Sequence, residues 1–163
     1  DIVTTVLTCA RGETILLRLD TTLPRSYSRD FTVRGTKGLY MQDTNSVFLD
    51  GDEEAFEPVK YYAKALNNAV KFEDEYLPDI WKSVTEEMLK AGHGGMDWFA
   101  YTGFTNALIN GEEMPIDVYD AATWQAVAVL SEMSIKQGGA PQIMPDFTNG
   151  KWFKRPRKDV CEF

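Results

Sequence analysis

Apolar and polar positions alternate with a period of two through the first fifty residues, and with a period closer to four from about residue 79 onward. Ile2 to Cys9 and Thr14 to Thr21 are rich in β-branched residues and flank Ala10-Arg11-Gly12-Glu13, a hairpin turn. Two further strands are predicted at Ser28 to Arg34 and Leu39 to Asp43, separated by Gly35-Thr36-Lys37-Gly38, with a short one at Ser46 to Leu49. The pattern predicts an antiparallel meander. In its first hairpin Thr4, Val6 and Thr8 alternate with Val3, Leu7 and Cys9, while Ile15, Leu17 and Leu19 alternate with Leu16, Arg18 and Asp20. One face is expected to be apolar and the other mixed.

The second half reads as helical. Gly51 to Glu54 is a solvated turn and Val59 to Val70 a helical candidate, in a polar and aromatic stretch broken by Pro58 and Pro78. A helix is predicted from Asp79 to Ala91, with Ile80, Trp81, Val84, Met88 and Leu89 on one stripe and Gly92 as its stop. Asp97 is the expected N-cap of a helix from Trp98 to Ile109 that stops at Asn110-Gly111. The last helix is predicted from Val118 to Gln137, with Ala121, Ala122, Val127, Leu130 and Ile135 among its apolar positions, broken by Gly138-Gly139. Pro141 to Phe147 then leaves as an extended tail, and the basic stretch Lys151 to Lys158 reads as a solvated terminus. Strands followed by helices give an α+β class: a largely antiparallel sheet with helices packed on one face, in a single domain covering residues 1–163.

Composition narrows the function classes. With 163 residues, of which 44% are hydrophobic and 12% aromatic, the chain has enough apolar material for a packed core. A net charge of -8, from 25 acidic and 17 basic residues, opposes broad attraction to nucleic acid or anionic lipid. Apolar runs are far shorter than the roughly 20 residues of a membrane span. Cys9 and Cys161 stand far apart and His93 is the sole histidine, which argues against a disulfide framework and a His/Cys metal site. The chain starts in strand-like sequence at Asp1-Ile2-Val3 without Met, and is expected to be a piece of a longer protein.

Few side chains carry chemistry. The sequence has no G-x-G-x-x-G after a strand, no G-x-x-x-x-G-K-[ST] and no G-x-S-x-G. Acidic runs at Asp50 to Glu57 and Glu73 to Glu75 read as solvated loops rather than a glycosidase carboxylate pair. Histidine is the side-chain type whose unperturbed pKa lies near neutrality, so His93 is a candidate for proton transfer, or for orienting the following helix by a hydrogen bond. In "DTTLPRSYSRDF", Asp20 to Phe31, Arg25 offers a planar charged fork and Tyr27 a phenol on an apolar ring. By residue type alone Tyr27 either packs across the sheet or binds a ligand.

Four collinear blocks add a resemblance: "GETILLRLDTTLPRSYSRDFTVRGTKG" (Gly12 to Gly38), "GHGGMDWF" (Gly92 to Phe99), "DVYDAATWQAVAVLSEMSI" (Asp117 to Ile135) and "PDFTNGKW" (Pro145 to Trp152). Together they resemble the C-terminal domain of Gfo/Idh/MocA-type oxidoreductases, closest to glycoside hydrolase family 109, the NAD-dependent α-N-acetylgalactosaminidases. The resemblance implies a two-domain parent in which a Rossmann domain, absent from this chain, binds NAD and carries the central catalytic residues. It further implies transient oxidation at the sugar C3, elimination of the aglycone, and recycling of the cofactor in each turnover. This chain is then the substrate-side domain, inactive alone and holding no cofactor, with subunit contacts of a homo-oligomer through the sheet. Tyr27 resembles the family's substrate-contacting tyrosine, Arg25 and His93 being its neighbours in matching blocks. Alternatives are a sugar or cyclitol dehydrogenase of the same superfamily and a non-catalytic dimerisation module.

Overall fold

The computed structural model describes residues 2–52 and 63–155. Among the described residues five strands form: β1 (Ile2–Thr8), β2 (Thr14–Asp20), β3 (Thr32–Arg34), β4 (Gly38–Met41) and β5 (Ser46–Leu49). They do not make the continuous meander that the pattern predicts. β1 and β2 pair as one hairpin, and β3-β4-β5 form a separate antiparallel sheet. The break has a local cause. Ser28 to Phe31, expected to open the third strand, stays outside the strand, where Asp30 adopts a left-handed φ of 48° that is incompatible with a strand.

The chain divides into two compact units, residues 1–4 with 18–82 and residues 5–17 with 83–163. In the first, β3 meets β4 with Val33 opposite Tyr40, and β4 meets β5 with Tyr40 opposite Val47. The outer edge of β5 is covered by a side chain. Asn68, opening a 3-10 turn (Asn68–Phe72), accepts from the Val47 amide at 2.7 Å and donates to the Val47 carbonyl at 2.8 Å, as a neighbouring strand would. Ser46, 1% exposed, donates to the Ala65 carbonyl at 2.7 Å, so this buried hydroxyl is satisfied. Residues 63–65 are helical, and the rest of the helix expected from Val59 lies partly outside the described residues.

Short helices α1 (Glu73–Tyr76) and α2 (Asp79–Lys82) complete this unit. The single helix expected from Asp79 to Ala91 is in fact two, α2 and α3 (Glu86–Lys90), because Thr85 takes an extended conformation and caps α3 by accepting from the Met88 amide.

In the second unit α4 (Met96–Asn110) begins after a 3-10 turn at His93–Gly95, and its N-cap is Gly95. Asp97 is therefore not the cap but a first-turn residue. The C-cap is Gly111 in the left-handed region, as the Asn110-Gly111 signal predicts. α5 (Val118–Lys136) starts at a reciprocal capping box: Asp117 accepts from the Asp120 amide at 3.0 Å, and the Asp120 carboxylate accepts from the Asp117 amide at 3.2 Å. Its half-buried positions include Ala122, Ala126, Val127 and Leu130, whereas Ala121 and Ile135, expected on the apolar stripe, are exposed. The Ser131 proton returns to the Val127 carbonyl, so the Thr5 hydroxyl, 2.8 Å away, donates to Ser131 and ties β1 to α5.

The predicted alternation survives in β1, where Val3, Thr5 and Leu7 are half-buried and Ile2 and Val6 exposed. β2 is exposed along its length except for Asp20. The terminal stretch expected to be solvated is anchored at Arg155, whose guanidinium donates to both Asp120 oxygens at 3.1 and 3.2 Å and lies 2.9 Å from Asp117. The hydrogen bonds to Asp120 hold the Arg155 pKa above its ordinary value.

The loop ahead of this anchor is organised by Asp146. One carboxylate oxygen accepts from the Thr148 hydroxyl and amide at 2.8 Å, and the other from the Gly150 amide. The Thr148 hydroxyl bond, then its amide, holds the Asp146 pKa below the ordinary aspartate value. A lowered folded pKa stabilises the loop above the unfolded pKa and loses that contribution as pH falls through the folded value. Amide exchange at Thr148 and Gly150, corrected for its intrinsic pH dependence, should therefore lose protection below about pH 4, and Asp146→Asn should weaken protection already at neutral pH. Identical protection at pH 3 and pH 6 would remove this role.

Candidate functional site

The turn between β2 and β3 is built by side chains rather than by a backbone ladder. Asp20, at the end of β2, accepts from the Thr22 and Leu23 amides at 3.4 and 3.3 Å, folding the chain ahead of Pro24. Its second oxygen lies 3.7 Å from Arg25 Nε, with the Asp20 side chain only 10% exposed and Arg25 40%. Arg25 thus braces the turn, as a partly exposed ion pair worth about 0–1 kcal/mol. The far side is held by Ser28, whose hydroxyl accepts from the Asp30 amide at 2.8 Å and donates to Asp43.

Between these two fixed points stands Tyr27, 86% exposed. Its ring does not pack across a sheet. Arg29 Nε donates to its phenol oxygen at 3.2 Å, leaving an aromatic face and a hydroxyl available to a ligand. Such a group has the chemistry to bind and orient a ligand; among the described residues its hydrogen-bond partner is a cation, not a base that would make it a nucleophile. Arg29, Asp20 and Ser28 were not singled out in the sequence. Asp20 and Ser28 carried a readable signal, since Asp or Ser beside a proline or before a left-handed residue commonly turns the chain through its own side chain.

His93 belongs to the second unit. Its Nδ1 lies 3.0 Å from each carboxylate oxygen of Asp97, one turn into α4. Gly92, His93, Gly94 and Gly95 all have positive φ, and a Cβ on Gly92 would collide with the Asp97 carboxylate. The "GHGGMD" block thereby forms a tight entry to α4. A shallow depression of about 300 Å³ also runs along α4, lined by Trp98, Tyr101 and Thr105 among others.

A nicotinamide dinucleotide needs a glycine turn joining a strand to a helix N-terminus, with amides free for its pyrophosphate. The Gly92–Gly95 turn follows helix α3 instead, and the Asp97 carboxylate lies against it. A pyrophosphate placed there would meet a like charge. The described residues do not fit this cofactor.

A family model described as "Glycosyl hydrolase 109, C-terminal domain" matches residues 1–154. The chain is similar to a "Glycosyl hydrolase family 109 protein" of Stenotrophomonas maltophilia, 45% identical over 163 residues, which covers 100% of this chain and 34% of that protein. It is also similar to an "Alpha-N-acetylgalactosaminidase" of Tannerella forsythia, 41% identical over 95% of this chain and 31% of that protein. A protein of the same name from Shewanella oneidensis is 34% identical over 93% of this chain and 32% of its own length. The chain therefore spans about a third of the length of these relatives.

Proposed function

Because this chain belongs to the glycosyl hydrolase 109 C-terminal-domain family, we propose that it is the substrate-side domain of a glycosidase that removes terminal α-N-acetylgalactosamine. Two of the relatives are named alpha-N-acetylgalactosaminidase. The observation that carries the reading is Tyr27, an exposed aromatic held on a turn pinned from both sides. Tyr27 contacts the sugar, Arg25 keeps the turn in shape through Asp20, and His93 orients the start of α4 through Asp97.

Within this proposal the glycosidase uses NAD, which supplies reversible oxidation of the sugar. Since the described residues do not fit a dinucleotide, its contacts are assigned to chain beyond them. The part played by these residues is to bind and orient the sugar.

The test is to assay the intact protein and the 163-residue chain on an aryl α-N-acetylgalactosaminide with NAD present. Turnover by the intact protein, none by the chain alone and no net NADH are expected. Stoichiometric free NADH would instead establish a sugar or cyclitol dehydrogenase, and activity in the chain alone would overturn the assignment. A second reading, self-association, is favoured by the leucines that β2 leaves exposed, Leu16 at 60% and Leu19 at 60%. Light scattering on the same samples decides it, because a monomeric mass throughout removes it.

A further inference from the structure

We propose that Arg29 is a positioning residue that fixes the hydrogen-bonding sense of Tyr27, so that the phenol acts as a donor toward an oxygen acceptor on the sugar. The inference rests on the reading of Tyr27 as a sugar contact and extends it to a residue and a polarity. A guanidinium has five N–H donors and no acceptor, and it does not lose its proton in proteins. In the contact between Arg29 Nε and Tyr27 Oη, at 3.2 Å, the phenol oxygen can therefore only accept. Its own proton must point elsewhere, and with the side chain 86% exposed that direction is outward. Donation by a cation also makes the phenol O–H a stronger donor. The partner it suits is a carbonyl, ether or hydroxyl oxygen of a pyranose.

The backbone explains why the two side chains meet. Tyr27 and Arg29 are two apart in the turn ahead of β3, and their side chains meet at the phenol oxygen. Ser28 between them is held by its bonds to the Asp30 amide and to Asp43. The left-handed φ of Asp30 then turns the chain away directly after Arg29. Arg29 is thus held beside the phenol by local geometry alone, independent of any sugar.

Two measurements on the intact protein test this. In the first, [13Cζ]-tyrosine NMR without ligand should show the Tyr27 resonance moving on Arg29→Met and moving back part of the way in Arg29→Lys, which still donates but lacks the planar fork. No movement in Arg29→Met overturns the contact in solution. The second is a double-mutant cycle in Tyr27→Phe and Arg29→Met, read as KM for an aryl α-N-acetylgalactosaminide or as NMR titration with N-acetylgalactosamine. Arg29→Met should weaken binding roughly fivefold when the Tyr27 hydroxyl is present and leave it unchanged in the Tyr27→Phe background. An equal loss in both backgrounds overturns the positioning role while leaving Tyr27 as a sugar contact. Unchanged binding in Tyr27→Phe and Tyr27→Ala alike overturns the underlying reading itself. Melting temperatures of all variants should match, since both side chains are exposed.

Discussion

Replacing Tyr27 with alanine in the intact protein is expected to lower kcat/KM on an aryl α-N-acetylgalactosaminide by about a hundredfold, with no change in melting temperature. The two halves of this expectation have separate causes. Stability is spared because Tyr27 is 86% exposed and its one described bond is to Arg29, a surface side chain. Activity is lost because the ring and the hydroxyl both go. Losing an aromatic face against a sugar and a hydrogen bond in the bound complex together removes about 2–3 kcal/mol, and roughly 1.4 kcal/mol corresponds to a factor of ten. Tyr27→Phe keeps the ring and should lose only about tenfold. An alanine variant with wild-type kcat/KM would sink the sugar-contact reading, while a variant that melts early would show that Tyr27 packs in a way its exposure does not reveal.

The largest effect on stability is expected at Phe99→Ala, about 3–5 kcal/mol. α4 buries Phe99, Gly103 and Ala107, at spacings of four, so one side of the helix presents a single large residue and two small ones. Phe99, 7% exposed, supplies most of the apolar volume on that side. Truncating it leaves a cavity that glycine and alanine neighbours are too small to fill by rotamer change. Phe104, on the same helix and 53% exposed, is the internal control and should cost less than about 1 kcal/mol on truncation to alanine. Urea unfolding of both variants reads the difference as a shift in midpoint at constant slope. Equal shifts for the two would mean that α4 packs by another face.

Both positions show how far local pattern reaches. α4 carries Met96, Trp98, Phe99, Tyr101, Phe104, Leu108 and Ile109, apolar residues spread around its circumference. Periodicity cannot choose a buried face from such a helix. The helix end was legible at Asn110-Gly111, where a glycine tolerates the left-handed cap, but the start was displaced from Trp98 to Met96 because Gly95, rather than Asp97, terminates the preceding turn. Similarly, α2 and α3 read as one helix because Thr85 is compatible with a helix interior as well as with an N-cap, and only the extended backbone at Thr85 decides between them.

At the site, the sequence brought Tyr27 and Arg25 forward through residue type and the "PRSYS" block, and the geometry gives each a distinct place: Arg25 on Asp20, Tyr27 toward solvent beside Arg29. Arg29 was not legible, because its contact depends on the conformation of Ser28 and Asp30 rather than on spacing alone.

The α+β class, the existence of all five strands, the C-terminal helix from Val118 and the family to which the chain belongs were all readable in the residues themselves. These follow from local period, from capping residues such as Asp117 and from motifs, which act within a few residues of one another. Folding in three dimensions was needed to split the strands into two sheets, to lay Asn68 over the β5 edge, to close Arg155 on Asp117 and Asp120, and to choose which side of α4 is buried. Each of those depends on groups tens of residues apart, or on one left-handed residue such as Asp30, whose conformation its own side chain permits but does not dictate.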